Sequence, residues 1–242
     1  MFKESNYLTS KELSAERTGE EFCEWVSHKT LEWRADSDAL PREEDDELSR
    51  RILLRIGIFG RFYQEAFPLY RYLVFKGLNR ADVRCRILND SSQHYDAIVI
   101  EKGIAQKIEI SQAIEDRDDL RMQQFIEKRS VPLLGKMAIS GTKRTGHQVE
   151  ISDDLVPSTK VLGDIQEIVR RRLQRKTNQL TKNQKYEKET DLLISIDDSV
   201  LDENDIPKLD KPFRDIGCSE QVVFRSVSIV GTSGNIFIEY TK

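Results

Sequence analysis

Asp96 and Glu109 are the first residues to weigh. Asp96 opens the apolar run "DAIVIE", and Glu109 sits inside a second run, "KIEIS", with twelve residues between the two acids. Runs of this kind, joined by Lys102-Gly103-Ile104-Ala105, read as an antiparallel hairpin in which directly paired residues point to one face. With Gly103-Ile104 as the turn, Glu101 pairs with Gln106 and Asp96 with Ser111; a four-residue loop over 102–105 gives the same pairing. Asp96, Lys107, Glu109 and Ser111 then share one face, and Ile108 and Ile110 take the other. Asp96 and Glu109 become diagonal neighbours about 7–8 Å apart, near enough for both carboxylates to grip one ion. The chemistry such a pair serves is metal-assisted phosphodiester hydrolysis. Mg²⁺ keeps most of its waters and needs only one or two protein carboxylates, with a substrate phosphate filling another position. The same two acids also suit a strand-entry turn and a strand edge.

On these residues the stretch 82–125 resembles the PD-(D/E)xK, or restriction-endonuclease-like, nuclease superfamily. That pattern is an acid at the start of one strand, an acid-x-lysine on the next, and a helix after it; here it reads Asp96, then Glu109-Ile110-Ser111, then Gln112. The resemblance implies an α/β (α+β) fold: a mixed central sheet flanked by helices, in helix-strand-strand-strand-helix-strand order. It implies a metal-dependent nuclease in which Asp96 and Glu109 hold Mg²⁺ or Mn²⁺ and Ser111 or Gln112 positions water. Two departures stand out: Ser111 occupies the position of the motif lysine, and no proline precedes Asp96. Serine carries no charge, so a cation must come from elsewhere. Arg121 on the following helix ranks first, ahead of Arg117 and Lys107, while Lys143 and Arg144 at a hairpin tip suit phosphate contacts. Glu20 or Glu21 on the first helix could add an acid. Loss of the lysine leaves an alternative open, a catalytically inactive module on the same fold that binds nucleic acid or protein.

The charge distribution bears on partners. The chain has 242 residues and a net charge of −4, so it exerts no overall pull on nucleic acid. The charge is uneven, though: residues 43–47 read Glu-Glu-Asp-Asp-Glu, and 169–188 is dominated by Lys and Arg with one acid, Glu187. Arg171, Arg172 and Arg175 in that run are candidate nucleic-acid contacts, with a solvated helix face as the plain alternative. DNA is the first substrate to test and RNA the second, and a homodimer or partner subunit stays open. Cys23, Cys85 and Cys218 lie far apart without metal-ligand spacing, which suits reduced structural thiols in a cytoplasmic protein. No run approaches a membrane span, and Met1-Phe2-Lys3-Glu4-Ser5 lacks the apolar core of a signal peptide. "SGTKRTG" does not have the strand–loop–helix order of a phosphate loop. Of the three histidines, only His94 is placed to share a face with Asp96.

These residues need elements to carry them. Thr9-Ser10-Lys11-Glu12 has capping-box spacing and starts a helix expected over 10–34. Pro41 opens a second helix that continues through Phe59, Phe62 and Tyr63, and a shorter helix spans 69–76. The aromatics from Phe59 to Phe75 recur at helical spacing, which means core rather than a base-stacking platform. Val83, Cys85 and Ile87 alternate as in a half-buried strand ahead of the hairpin that carries the acids. A helix over 113–129, a hairpin around Gly141–Gly146, and a helix from Pro157-Ser158-Thr159 follow. That last helix has Val161, Leu162, Ile165, Ile168, Val169 and Leu173 on one face. A polar linker over 177–188, a strand over 191–197 and a terminal hairpin turning at Thr232-Ser233-Gly234 close the chain. The expected organisation is an N-terminal helical portion, 1–80, packed on an α/β core with a C-terminal hairpin, 81–242.

Overall fold

The computed structural model describes residues 8–39, 57–89, 95–113, 135–142, 146–155, 158–183, 189–198, 201, 204–217 and 224–241. Several expectations lie outside these residues: the second helix up to residue 56, the helix expected after residue 113, His94, Arg117, Arg121, Lys143 and Arg144.

The N-terminal helix forms in two pieces rather than one. Thr9 Oγ1 accepts from the Glu12 N–H at 3.0 Å, as the capping box requires, but helix α1 (Ser10–Leu13) stops after one turn. Strand β1 (Arg17–Thr18) follows, and helix α2 (Gly19–Ala39) starts from a second box. There the Thr18 N–H donates to Glu21 Oε2 at 2.9 Å and the Glu21 N–H to Thr18 Oγ1 at 3.1 Å. Gly19 permits the junction, since a Cβ there would lie 2.1 Å from the Leu78 carbonyl oxygen. Arg17 braces the break from the other side, donating to the Glu12 and Ala15 carbonyls and lying 4.2 Å from the Trp25 ring centre.

Helix α3 (Ile58–Arg61), a π-helical turn (Phe62–Ala66) and helix α4 (Phe67–Phe75) run as one continuous rod. Pro68 explains the widened turn. The Phe67 N–H reaches back five residues to the Phe62 carbonyl, and the next N–H in line belongs to Pro68, which has none. The rod and α2 meet through aromatics: Trp33 packs edge-on against Phe59 and Phe62, with ring centres 5.1 and 4.7 Å apart. Phe59, Phe62 and Tyr72 are buried in the core as the spacing indicated, Tyr63, Phe67 and Tyr70 pack half-buried against it, and Phe75 is exposed.

Strands β2 (Arg84–Ile87), β3 (Ala97–Glu101), β4 (Ile104–Gln112), β7 (Thr190–Ile196), β8 (Ser226–Gly231) and β9 (Phe237–Thr241) join β1 in one seven-stranded mixed sheet. Its order is β1-β2-β3-β4-β7-β8-β9, with β4, β7 and β8 parallel and every other neighbouring pair antiparallel. Strands β5 (Gly135–Thr142) and β6 (Gly146–Leu155) form a separate hairpin. Helix α5 (Ser158–Asn183) connects this hairpin to β7, and helix α6 (Ile206–Gly217) connects β7 to β8. Apolar side chains on both faces of the sheet give two cores. Ile108, Ile110 and Leu193 join the cluster under α2, α3 and α4; Leu192, Ile194 and Ile196 join the cluster with Leu162, Val169 and Leu173 of α5.

Three further expectations need correcting. The β3–β4 turn is Lys102-Gly103, with φ of +52° and +79°, the left-handed pair that a two-residue hairpin turn uses. The segment read as a polar linker from residue 177 is helical as far as Asn183. Helix α6 was not anticipated, because Pro207 and Pro212 obscured the apolar steps Ile206, Leu209 and Phe213. Among the described residues, no helix is long and apolar enough to cross a membrane. Cys23 and Cys85 are buried free thiols, and burial pushes both up to about 12, so both stay protonated.

Asp198 fixes the end of the sheet nearest β8. It is fully buried and accepts from the Ser233 N–H at 2.6 Å and the Asn235 N–H at 3.0 Å, with Gly231 leaving it room. Asp198→Ala strands both donors and is expected to lower unfolding free energy by about 2–3 kcal/mol, read from urea melts.

Candidate active site

Asp96 stands immediately before β3, where the backbone ladder frays and its side chain takes over. Its carbonyl accepts from the Leu88 N–H at 2.8 Å and its own N–H donates to the Ile108 carbonyl at 2.9 Å. Asp96 Oδ2 then accepts from the Ile110 N–H at 2.8 Å. The tighter turn places Ala97 opposite Ile108, two residues off the expected register, and Asp96, just outside the ladder, bonds the same Ile108 carbonyl. The slip is two residues, so the side chains of the paired strands keep their expected faces. The Glu109 charge acts on the Asp96 carboxyl, so the two acids lie within electrostatic reach of each other.

Glu109 is 5% exposed in the middle of the sheet. A buried carboxylate needs a charged or hydrogen-bonded partner, and α5 supplies one: Lys176 Nζ bonds Glu109 Oε1 directly. Lys176 falls in helical phase with the buried Leu162, Val169 and Leu173, so it projects from the stripe that faces the sheet. Sequence reasoning assigned the 169–188 run to solvent or phosphate and passed over this residue. The available signal was its phase, a lysine on the apolar stripe.

The electrostatics single out Asp96. Burial, and then the charge of Glu109, raise its carboxyl from the ordinary 3.8 to about 6; the Ile110 N–H, Lys176 and Arg61 pull the other way. Glu65, on the π-helical turn, is also raised, by burial first and by Asp96 in part, against the lowering effect of Arg61. Glu65 is held by Arg61 and lies within electrostatic reach of Asp96. Glu20 is exposed, and Glu21 is occupied in capping α2.

The other candidates divide. Ser111 is buried, two residues beyond Glu109 on the same strand face. Gln112 points to the opposite face, where its amide donates to the Tyr63 carbonyl at 3.0 Å. Lys107 Nζ lies 5.5 Å from the Tyr95 ring centre. Arg171 is exposed and bonds Glu167 at 2.8 Å; Arg172 is half-buried and Arg175 exposed on the same helix. Arg121, Lys143 and Arg144 lie outside the described residues. Asp191, near the start of β7, pairs with Ile108 and so takes the opposite face from Glu109; Arg225 and Ser226 hold it there.

Among the described residues, no group of three or more His, Cys, Asp or Glu side chains converges as a metal cage. What the site offers is two carboxylates, Asp96 and Glu109, the first raised by burial and then by the charge of the second. That donor set fits a hard divalent cation that brings its own waters, and does not fit a fully protein-ligated ion. The chain matches no protein-family model, no curated protein and no solved structure.

Proposed function

We propose that this protein is a divalent-metal-dependent nuclease on a restriction-endonuclease-like core, with Lys176 taking the part of the motif lysine. The observation that carries the reading is the Lys176–Glu109 contact: a cation delivered by α5 onto the acid of the acid-x-serine strand. Supporting the reading, α4 leads into β2, β3 and β4, and after the β5–β6 hairpin α5 leads into β7, which runs parallel to β4.

In this reading Asp96 and Glu109 would hold Mg²⁺ or Mn²⁺, which when bound would supply Lewis acidity toward the scissile phosphate. The chain's own groups do the rest. Lys176 directs ammonium N–H bonds toward the attacking water and offsets negative charge gathering on the phosphate oxygens. Ser111 accepts or donates one hydrogen bond beside it without changing the charge. Arg171, Arg172 and Arg175 contact the substrate backbone, as Lys143 and Arg144 do in the sequence reading, so affinity falls steeply with salt. A second reading draws on the same contact. If Lys176 serves only to neutralise Glu109, the site is a buried ion pair in a binding module without chemistry.

Incubating single- and double-stranded DNA and RNA with wild type and Glu109→Gln, with Mg²⁺, Mn²⁺ or chelator, separates the two. The nuclease reading expects cleavage that needs metal and falls about 10³-fold or more in the variant. Salt-sensitive binding without cleavage supports the second reading.

A further inference from the structure

Asp96 sits inside a chain of contacts that starts at Arg61, the last residue of α3, and returns to Tyr63 on the π-helical turn. Arg61, at its leading edge, donates to Glu65 at 3.1 and 2.7 Å, to the Leu88 carbonyl at 2.7 Å, and to Asn89 Oδ1. The Leu88 N–H passes to the Asp96 carbonyl, and the Asp96 N–H to the Ile108 carbonyl. The Ile110 N–H reaches the Asp96 carboxylate, and two residues on the Gln112 amide returns to Tyr63. Tyr63 is where Pro68 interrupts the helix ladder, so the backbone irregularity that the proline creates is what receives Gln112. Arg61 and the π-helical turn that follows it thus grip the end of β2 and, through Gln112, the end of β4, with Asp96 between the two grips.

We infer that this turn is a positioning frame that sets the Asp96 carboxylate against Glu109, with Arg61 and Gln112 as positioning residues. Neither touches the reacting atoms; each fixes a strand end whose backbone hydrogen-bonds Asp96. Arg61 is suited to this by its planar fork, which spans a carboxylate, a carbonyl and an amide oxygen at once, a reach that lysine lacks. Gln112 is suited by its neutral donor, which satisfies a carbonyl near the helix interruption without adding charge beside two acids. The frame rests on the nuclease reading only for its effect on rate.

The test uses the full chain and two variants, Arg61→Lys and Gln112→Met, with Arg71→Lys as the control. Arg71 ties α4 to the Thr232 and Ser233 carbonyls, a tether of the same kind that bonds neither Leu88, Asp96 nor Gln112. Amide hydrogen exchange is followed at Leu88, Asp96 and Ile110, and at Gly231 and Leu209 as references. The frame predicts exchange about tenfold faster at the first three amides in both variants, with the references unchanged. It also predicts a kcat reduced about 100-fold at unchanged KM, since a displacement of about an ångström suffices for that loss. Unchanged exchange at the three amides, or equal acceleration at all five, overturns the frame. If the wild type cleaves nothing, the nuclease reading fails, and the exchange rates still decide the frame.

Discussion

Lys176→Met should reduce cleavage about 10²–10³-fold, the usual cost of removing one group aimed at developing charge. It should also destabilise the fold by about 2 kcal/mol. Breaking a fully buried pair costs more, and the value is discounted here because the Lys176 side chain is 20% exposed. The second effect is separable from the first. Adding Glu109→Gln to Lys176→Met removes the stranded charge, so stability returns while activity does not. Ser111→Lys in the Lys176→Met background puts a cation back on the same strand face, from the next position that points there. About a tenfold recovery of rate is expected from that double variant, and stopped-flow or gel-based cleavage assays with parallel urea melts read all three changes. A lysine that only balances charge predicts the stability pattern alone.

Asp96→Asn should make the metal-free protein more stable at neutral pH while abolishing cleavage. Asparagine still accepts from the Ile110 N–H but carries no charge against Glu109. An acid whose pKa is raised on folding holds its proton more tightly in the folded state than in the unfolded one. Folding is therefore most favoured below the unfolded value near 3.8, and stability falls as pH rises from there through about 6. Above pH 6 the cost is complete, about 2 kcal/mol after allowance for the half-exposed position of Asp96. In chelator the advantage of Asp96→Asn should be full at pH 7.5 and fade toward pH 4, as denaturant melts across that range would record. Adding Mn²⁺ should reverse the order, because only the wild type gains binding energy in the folded state. This is the stability–activity conflict expected where like charges are held together for function.

What could be read from the sequence follows the range of the interactions. Local signals held: Thr9 caps α1, Cys85 and Ile87 lie buried on β2, and the apolar stripe of α5 faces the core. The acids were found because a hairpin is local and its faces depend only on parity. The register was misjudged because Lys102 takes a positive φ that lysine rarely adopts, and propensity argued for glycine leading the turn. Lys176 was missed for a different reason. Its partner is 67 residues away, and charge counting treated the run as one surface, although phase set this lysine apart from its neighbours. Arg61 and Glu65 depend on a π-helical turn whose local cause, Pro68, was visible as punctuation but not as a widened turn.

The most direct measurement is a calorimetric titration of Mn²⁺ into wild type and Glu109→Ala, with cleavage of a nucleic-acid panel followed on the same preparations. The account predicts that the wild type binds the ion and cleaves, and that binding and cleavage vanish together in the variant. A wild type that binds no divalent ion, or that cleaves equally well without Glu109, would contradict it.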